Sequence, residues 1–489
     1  MEKFIAALDL GSSKIIAMIA RKNSDGVLSI LHVEKIDSET AIRRGSVHNL
    51  DGVSRKISDV IRRLNNQLAT GQPNQTIEQV YVGIGGQALH SEQQMLKKEV
   101  EDGIVSTKLI DTIDEEVLRN NPKSALIRES FLPEYYLNGE LDPDPVGAAS
   151  STIEARYQLI MGRPLSDLKK AIEEKARVEV ADIFVTPLAT AEAVLTDKEK
   201  ELGCALVEFG AGLTYVSVYK DNLLKHLATI PLGGAVITKD ICSLDISQKD
   251  AEEFKINYGS ALAVEEDEAE DDSEQSEEKY ELKLKKVVEA RVAEILANVI
   301  EQISLSGYAQ SIGKIVITGG GASLKDLPET IKNKTGKEVR LANARKSLVN
   351  QAAEWSQQPA NAAVIGLLAL GTVNCLKKKE VALPSQQRQQ QIFTPEEVET
   401  KNSLNESREE KEKREKERKA REKAEKEERE RKEKERRAKE KAEKEAQKGP
   451  NLFERIFNQF EIAAGALLNP DEENTEDKNN PENKNNNKQ

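Results

Sequence analysis

The sequence predicts an α/β protein of two lobes built on one repeated design. A strand, a glycine turn and a second strand run through "FIAALDLGSSKIIAMIA" at residues 4–20, and a near copy, "ALVEFGAGLTYVSVY", begins about two hundred positions later at residue 205. A further segment, "KIVITGGGASLKDL", reads as a parallel-type strand that ends in a glycine turn. Matching strand-turn-strand openings imply a duplicated unit with a cleft between the copies. The 489 residues suffice for two such lobes with appendages.

The first lobe is assigned residues 1–86 with 164–197 and 350–382. After its hairpin come a third strand near 28–35 and a helix in "NLDGVSRKISDVIRRLNNQL", with Asp51 as the expected cap and Val53, Ile57, Val60, Ile61 and Leu64 at helical spacing. A strand, "QVYVGIGG", comes next. Residues 87–163 change rhythm, with a strand, a helix around 111–119 and strands near "SFLPEYYLNG" and "STIEARYQLIM"; they read as an inserted small α+β subdomain. The lobe resumes with a helix in "SDLKKAIEEKARVEV" and a strand leading into a helix in "ADIFVTPLATAEAVL". The second lobe, 198–349, repeats the hairpin and continues through "KHLATIPLGGAVITKDI" to a helical insertion with an acidic loop at 264–279, then a helix at about 280–308. The most apolar stretch, "ANAAVIGLLALGTVNC", is short and rich in small residues, so a buried helix is expected rather than a membrane span.

The tail is a different material. Residues 383–448 form a charged linker in which Glu412, Glu415, Glu422 and Glu435 each precede a lysine by four positions. Such pairs add about 0.2–0.5 kcal/mol apiece, and enough of them hold a solvated helix, here roughly 60 Å long; a disordered linker is the other reading. No apolar seam supports a coiled coil. Residues 449–468 place Leu452, Phe453, Ile456, Phe457, Phe460, Leu467 and Leu468 on one side of a helix, with Glu454, Arg455, Asn458, Gln459 and Glu461 opposite. That face has no core to enter, so it is expected on a membrane surface or in a partner groove, the membrane being preferred. Residues 469–489 are expected to be disordered. The formal charge of -13 argues against nucleic acid as a partner. Cys204, Cys242 and Cys375 lack metal-ligand spacing and read as core thiols of a reducing compartment. Asp9 interrupts the apolar start, which reads as a buried strand rather than a targeting signal.

Glycine turns leave backbone amides open to phosphate oxygens, and a carboxylate beside them can hold Mg²⁺ directly or through water. In the first hairpin Gly11, Ser12 and Ser13 offer amides and hydroxyls, Lys14 a charge and Asp9 the acid. In the second, Gly210, Gly212 and Thr214 form the matching turn, and Glu208 is expected to face Asp9 across the cleft. A phosphate-bearing ligand with Mg²⁺ on Asp9 and Glu208 is the expectation.

With these motifs the chain resembles the actin, sugar-kinase and Hsp70 superfamily of two-lobed ATP-binding proteins. "DLGSSK" is similar to its first phosphate motif, "VEFGAGLTYVSV" to its second, "TPLATAEAVL" and "PANAAVIGLLALG" to its connecting helices, and "VITGGGASLKDL" to its adenosine motif, in order over about residues 1–380. The resemblance implies a two-lobed actin-like ATPase fold with ATP as ligand. It places Gly319, Gly320 and Gly321 by the adenosine, Glu252 and Lys255 of "AEEFKINYG" on ribose and adenine, and Gly233 and Gly234 by the phosphates. Within the superfamily the chain resembles the FtsA family of bacterial cell-division proteins. The insertion after "YVGIGG", the phrases "RRGSVHNLDGVSRKISDVI" and "ATAEAVLTDKEKELGCALVEFGAG", and the amphipathic helix on a linker carry that likeness. It implies self-assembly into filaments, tethering of FtsZ to the cytoplasmic side of the cell membrane at the division septum, and recruitment of later division proteins.

Two departures bear on catalysis. Glu208 stands where the superfamily has Asp, and Thr186 where its active ATPases orient water with Glu or Gln. Phosphoryl transfer depends on positioning, so both imply slow or absent ATP hydrolysis. Glu208 and Thr186 are the candidates for a catalytic part, and neither is assigned one outright. A pilus-type adaptor and a small-molecule kinase of the same fold are the alternatives, the kinase lacking a convincing aspartate base.

Overall fold

The structure, a computed structural model, describes residues 2–120, 125–127, 133–163, 166–244, 246–262, 277–350 and 354–378. Two compact units divide the chain, Met1–Ala382 and Leu383–Gln489, and every described residue belongs to the first. Most of the acidic loop, the charged linker and the amphipathic helix with its apolar positions Leu452 to Leu468 lie outside the described residues.

The duplication is visible strand by strand. In the first lobe β1 (Lys3–Leu10) pairs antiparallel with β2 (Lys14–Lys22), and β2 with β3 (Leu28–Asp37). On its other side β1 runs parallel to β7 (Gln79–Ile84), and β7 to β13 (Glu179–Val185). In the second lobe β14 (Cys204–Phe209), β15 (Thr214–Lys220), β16 (Leu223–Ile230), β17 (Lys314–Thr318) and β18 (Glu338–Leu341) repeat that order and every pairing sense. Even the irregularity recurs: the register shift between Ile19 and Ala20 in β2 has its counterpart between Val218 and Tyr219 in β15. Strands β1, β2, β14 and β15 are buried over most of their length, the pattern of strands covered on both faces. The two-lobed α/β architecture expected from the sequence is the one observed.

A third sheet belongs to the insertion. Its order is β11 (Glu140–Asp142), β10 (Glu134–Leu137), β12 (Thr152–Met161) and β8 (His90–Glu99), with β9 (Ala125–Ile127) also on β12. Helix α2 (Thr107–Asn120) covers it through Ile113 and Val117, which join Ile153, Ala155 and Tyr157 in a small core of their own. Two short ribbons complete the strands, β4 (Ile42–Arg43) with β5 (Ser46–Val47), and β6 (Gln75–Ile77) with β19 (Leu376–Lys378).

Helix α1 (Leu50–Gly71) buries Val53, Ile57, Val60, Ile61 and Leu64 as their spacing predicts, together with Leu68. Its cap differs from the expectation. Asn49, not Asp51, precedes the first turn with extended backbone, and its side chain accepts from Gly52 N at 2.9 Å; Asp51 pairs with Lys175 instead. The helix expected in "SDLKKAIEEKARVEV" is α3 (Ser166–Ala171) continued by a π-helical turn over Ile172–Ala176. Arg177 stops it with φ 57°, and the chain is in β13 from Glu179. Helices α5 (Asp197–Leu202), α6 (Gly234–Cys242), α7 (Gln248–Tyr258), α8 (Glu277–Leu305) and α9 (Leu327–Thr335) belong to the second lobe. Cys204 and Cys375 are buried and Cys242 partly so.

Two helices, α4 (Thr186–Val194) and α10 (Ala362–Leu370), cross in contact. Alpha-10 is the buried helix expected from "ANAAVIGLLALG", apolar on every side. The crossing closes to backbone contact at Gly366, where an added Cβ would stand 1.8 Å from the Ala189 carbonyl oxygen. Gly366→Ala is therefore expected to force the helices apart and cost about 1–3 kcal/mol of stability, read as a lower urea midpoint; an unchanged midpoint would show that the crossing yields freely.

Candidate functional site

The two glycine turns meet. Gly11 N donates to Lys14 O at 3.1 Å to close the first, and Gly210 N to Leu213 O at 2.8 Å to close the second. A Cβ added to Gly212 would lie 2.6 Å from Ser12 Oγ and 2.9 Å from Ser12 Cβ, so the turns touch because this position carries no side chain. Ser12 Oγ accepts from Gly45 N at 2.8 Å, while Ser38 holds the first turn through Gly11 O and Ser13 O. Thr214 Oγ1 donates to Leu232 O at 2.9 Å. Among the described residues the amides of Ser12, Ser13, Ala211 and Gly212 donate to no protein acceptor. Unspent amides at two touching turns, with Lys14 at the edge of one, are what phosphate oxygens require.

The other expected residues gather around the second turn. Gly233 precedes α6, and the amides of Gly234 and Ala235 donate to Gly210 O and Ala211 O at 3.0 and 2.8 Å. That helix start therefore braces the turn, and those two amides are already spent. Lys255 Nζ on α7 donates to Gly234 O at 3.1 Å, Thr238 Oγ1 at 2.9 Å and Glu252 Oε2 at 2.6 Å, which fixes the Glu252–Lys255 pair beside the same loop. Gly319, at φ +88°, comes after β17, lies against the Phe209 carbonyl and leads into Gly320 and Gly321. Thr186 opens α4, buried, with its hydroxyl against Gly83, the register partner of Asp9.

Asp9 and Glu208 end corresponding strands, opposite Ile16 and Tyr215 in their hairpins. Burial pushes the Glu208 carboxyl up to about 8, the Asp9 charge adds to the rise, and the Thr190 hydroxyl only partly opposes it. Burial likewise pushes Asp9 up to about 6 against the attraction of Lys14. Glu208 Oε2 is shut off from solvent and has no hydrogen-bond partner. Two neighbouring acids with elevated pKa values and an orphaned oxygen are suited to a divalent cation, and Mg²⁺ takes one or two carboxylates alongside phosphate oxygens. Among the described residues no cluster of three or more His, Cys, Asp or Glu exists that would hold a metal through protein ligands alone.

Sequence reading missed Tyr215. Its hydroxyl accepts from Gly86 N at 3.0 Å and occupies the place where a Gly85 side chain would be. The paired glycines closing "YVGIGG" were the available signal, but their partner is remote in sequence.

The arrangement has known relatives. The family model for "Cell division protein FtsA" matches residues 205–366. The "Cell division protein FtsA" of Porphyromonas gingivalis is 31% identical over 385 residues, 77% of this chain and 80% of that one. The chain belongs to the FtsA family. The FtsA of Neisseria meningitidis serogroup B is 28% identical over 341 residues, covering 67% of this chain and 81% of that protein. Among solved structures, a chain of a "PilM-PilN type IV pilus biogenesis complex" matches with a TM-score of 0.53 at 13% identity, over 75% of this chain and 99% of that one, a likeness of fold. This FtsA-family chain is a cell-division protein of actin-like fold.

The acids give the site a pH signature. Their protons are held more tightly in the folded chain than in the unfolded one, so the stability Glu208 contributes is complete below 4.5 and lost as pH rises through about 8; that of Asp9 is complete below 3.8 and lost through about 6. The cation-free protein is expected to melt at falling temperature from about pH 5 to about pH 9, and Glu208→Gln to remove the upper part of the fall. A melting temperature of the variant that tracks the parent across that range would contradict the assignment.

Proposed function

We propose that this chain binds ATP with Mg²⁺ between its lobes, assembles into filaments and ties FtsZ to the cytoplasmic side of the cell membrane at the division septum, where later division proteins are recruited. The observation that supports it most is the meeting of the two glycine turns with Asp9 and Glu208 beside them. The amides of Ser12, Ser13, Ala211 and Gly212 and the ammonium of Lys14 bind phosphate oxygens. Gly233 and Gly234 line the same loop, Glu252 and Lys255 meet the ribose and base, and Gly319, Gly320 and Gly321 let the adenosine approach the backbone. Asp9 and Glu208 hold the cation, which supplies neutralisation of phosphate charge.

ATP is kept rather than consumed. A glutamate at position 208 sets its carboxyl one methylene further out than an aspartate, and Thr186 has a short hydroxyl, packed against Gly83, where a water-orienting amide or acid would serve. Purified protein is expected to bind a fluorescent ATP analogue in the presence of Mg²⁺ and to turn over ATP far more slowly than about one per second, the low end of ordinary enzymes. Gly212→Val is expected to weaken binding at least tenfold, about 1.4 kcal/mol, and Glu208→Asp to raise hydrolysis. Turnover at several per second, or undiminished binding by Gly212→Val, would refute this reading.

Membrane attachment rests on the sequence of residues 449–468, since among the described residues no helix is long and apolar enough to cross a bilayer. The full chain is expected to sediment with liposomes and to capture FtsZ; a chain ending at residue 448 should keep FtsZ and lose the liposomes. Liposome binding by both would remove the helix from the account, and failure of both to capture FtsZ would favour the pilus-type alternative.

A further inference from the structure

The inserted subdomain is tied to the second lobe along one line of polar contacts. Beta-16 is an edge strand of the second-lobe sheet, and β8 of the insertion lies along it. From the cleft outward, Gly86 N donates to Tyr215 Oη at 3.0 Å, Thr229 Oγ1 to Leu89 O at 2.5 Å, Leu227 N to Ser91 Oγ at 2.8 Å and Gln158 Nε2 to Lys225 O at 2.8 Å. Outermost, Lys225 Nζ pairs with Glu134 Oε1 at 2.5 Å. Thr229, Leu227 and Lys225 alternate along β16, and Tyr215 is the register partner of Thr229, so the rungs make one seam that starts at the cleft.

The outermost rung is the one that physics would not choose for adhesion alone. The Lys225 and Glu134 side chains are 2% and 8% exposed, and the ammonium sits 5.6 Å from the centre of the Tyr308 ring. An apolar pair of equal volume would hold such a boundary as well or better, whereas loss of either partner leaves the other charge buried and unpaired. The rung therefore holds only while both partners are in place. Because the chain enters the insertion from β7 and leaves it for α3 and β13, both on the first-lobe side, a grip on β16 straps one lobe to the other.

We propose that Lys225–Glu134 is the latch of this strap, that it holds the lobes closed on the cleft, and that its release governs how fast the cleft's ligand leaves. Control of ligand release rests on the proposed nucleotide binding; the latch itself does not. The test uses the full chain with Glu134→Gln and Lys225→Met, singly and together. Amide hydrogen exchange over residues 86–91 and 224–230 is measured without nucleotide, and release of a fluorescent ATP analogue is timed with it. Each single variant should accelerate both exchange and release about tenfold or more, and the double variant by less than the product of the two. Folded single variants with parental exchange in both segments would overturn the latch. Faster exchange with parental release would overturn its control of the cleft. Should the parent bind no ATP analogue, the nucleotide reading fails while exchange still decides the latch. If the charge variants do not fold, Ser91→Ala, which removes only the acceptor of the Leu227 amide, carries the same two expectations, and parental behaviour there overturns the proposal.

Discussion

The two glycine turns meet at a residue without a side chain. Gly212 against Ser12 sets the distance between the two turns, and that distance decides the rest of the site. It brings Asp9 within electrostatic range of Glu208 and lets Tyr215 reach the Gly86 amide. Within the first lobe, at Gly366 against Ala189, the same device brings α4 and α10 to backbone separation. A side chain at Gly212 would hold the turns apart, and one at Gly366 would part α4 from α10.

Local folding rules would reject the site that this approach creates. Two acids are placed together, and one carboxylate oxygen of Glu208 has no partner. Such a cluster is sustained by the cores around it, since β1, β2, β14 and β15 are locked by burial on both faces. The duplication also explains why the acids differ. The turn residue that closes each hairpin is Lys14 in the first lobe and Leu213 in the second. Burial raises both carboxyls; Lys14 partly offsets the rise at Asp9, whereas at Glu208 the Asp9 charge adds to it and Leu213 at the matching turn position offers no cation, so Glu208 stays protonated to higher pH.

Much of this was legible in the sequence for a physical reason. Hairpins whose strands are mostly apolar and whose turns carry glycine leave few alternatives, and their repetition revealed the duplicated lobes. Alpha-1 announced itself by the spacing of Val53, Ile57, Val60, Ile61 and Leu64. Its cap did not, because Asn49 and Asp51 are both good caps and only the backbone at Asn49 distinguishes them. The π-helical turn after Ala171 was invisible because composition there favours helix and the stop comes from Arg177 in a left-handed conformation. Tyr215, the seam on β16 and the Lys225–Glu134 pair were beyond reach for a different reason. Each joins residues about seventy to a hundred and forty positions apart, and nothing in either local pattern names the partner.

The polar contacts also constrain how the lobes can move. Where the chain leaves α4 for the second lobe, Arg340 grips Glu199 through two hydrogen bonds of 2.7 Å and donates to Val194 O at 2.9 Å. Arg345 returns to the Ala193 and Glu192 carbonyls, and the Glu192 carboxylate reaches both Arg345 and Lys200. The crossover is thus pinned by contacts to backbone as well as by ion pairs, and α4 is pinned again by its glycine contact with α10. Stretching this junction would break these contacts. A rotation about it would leave these contacts whole and would load the polar rungs along β16 instead.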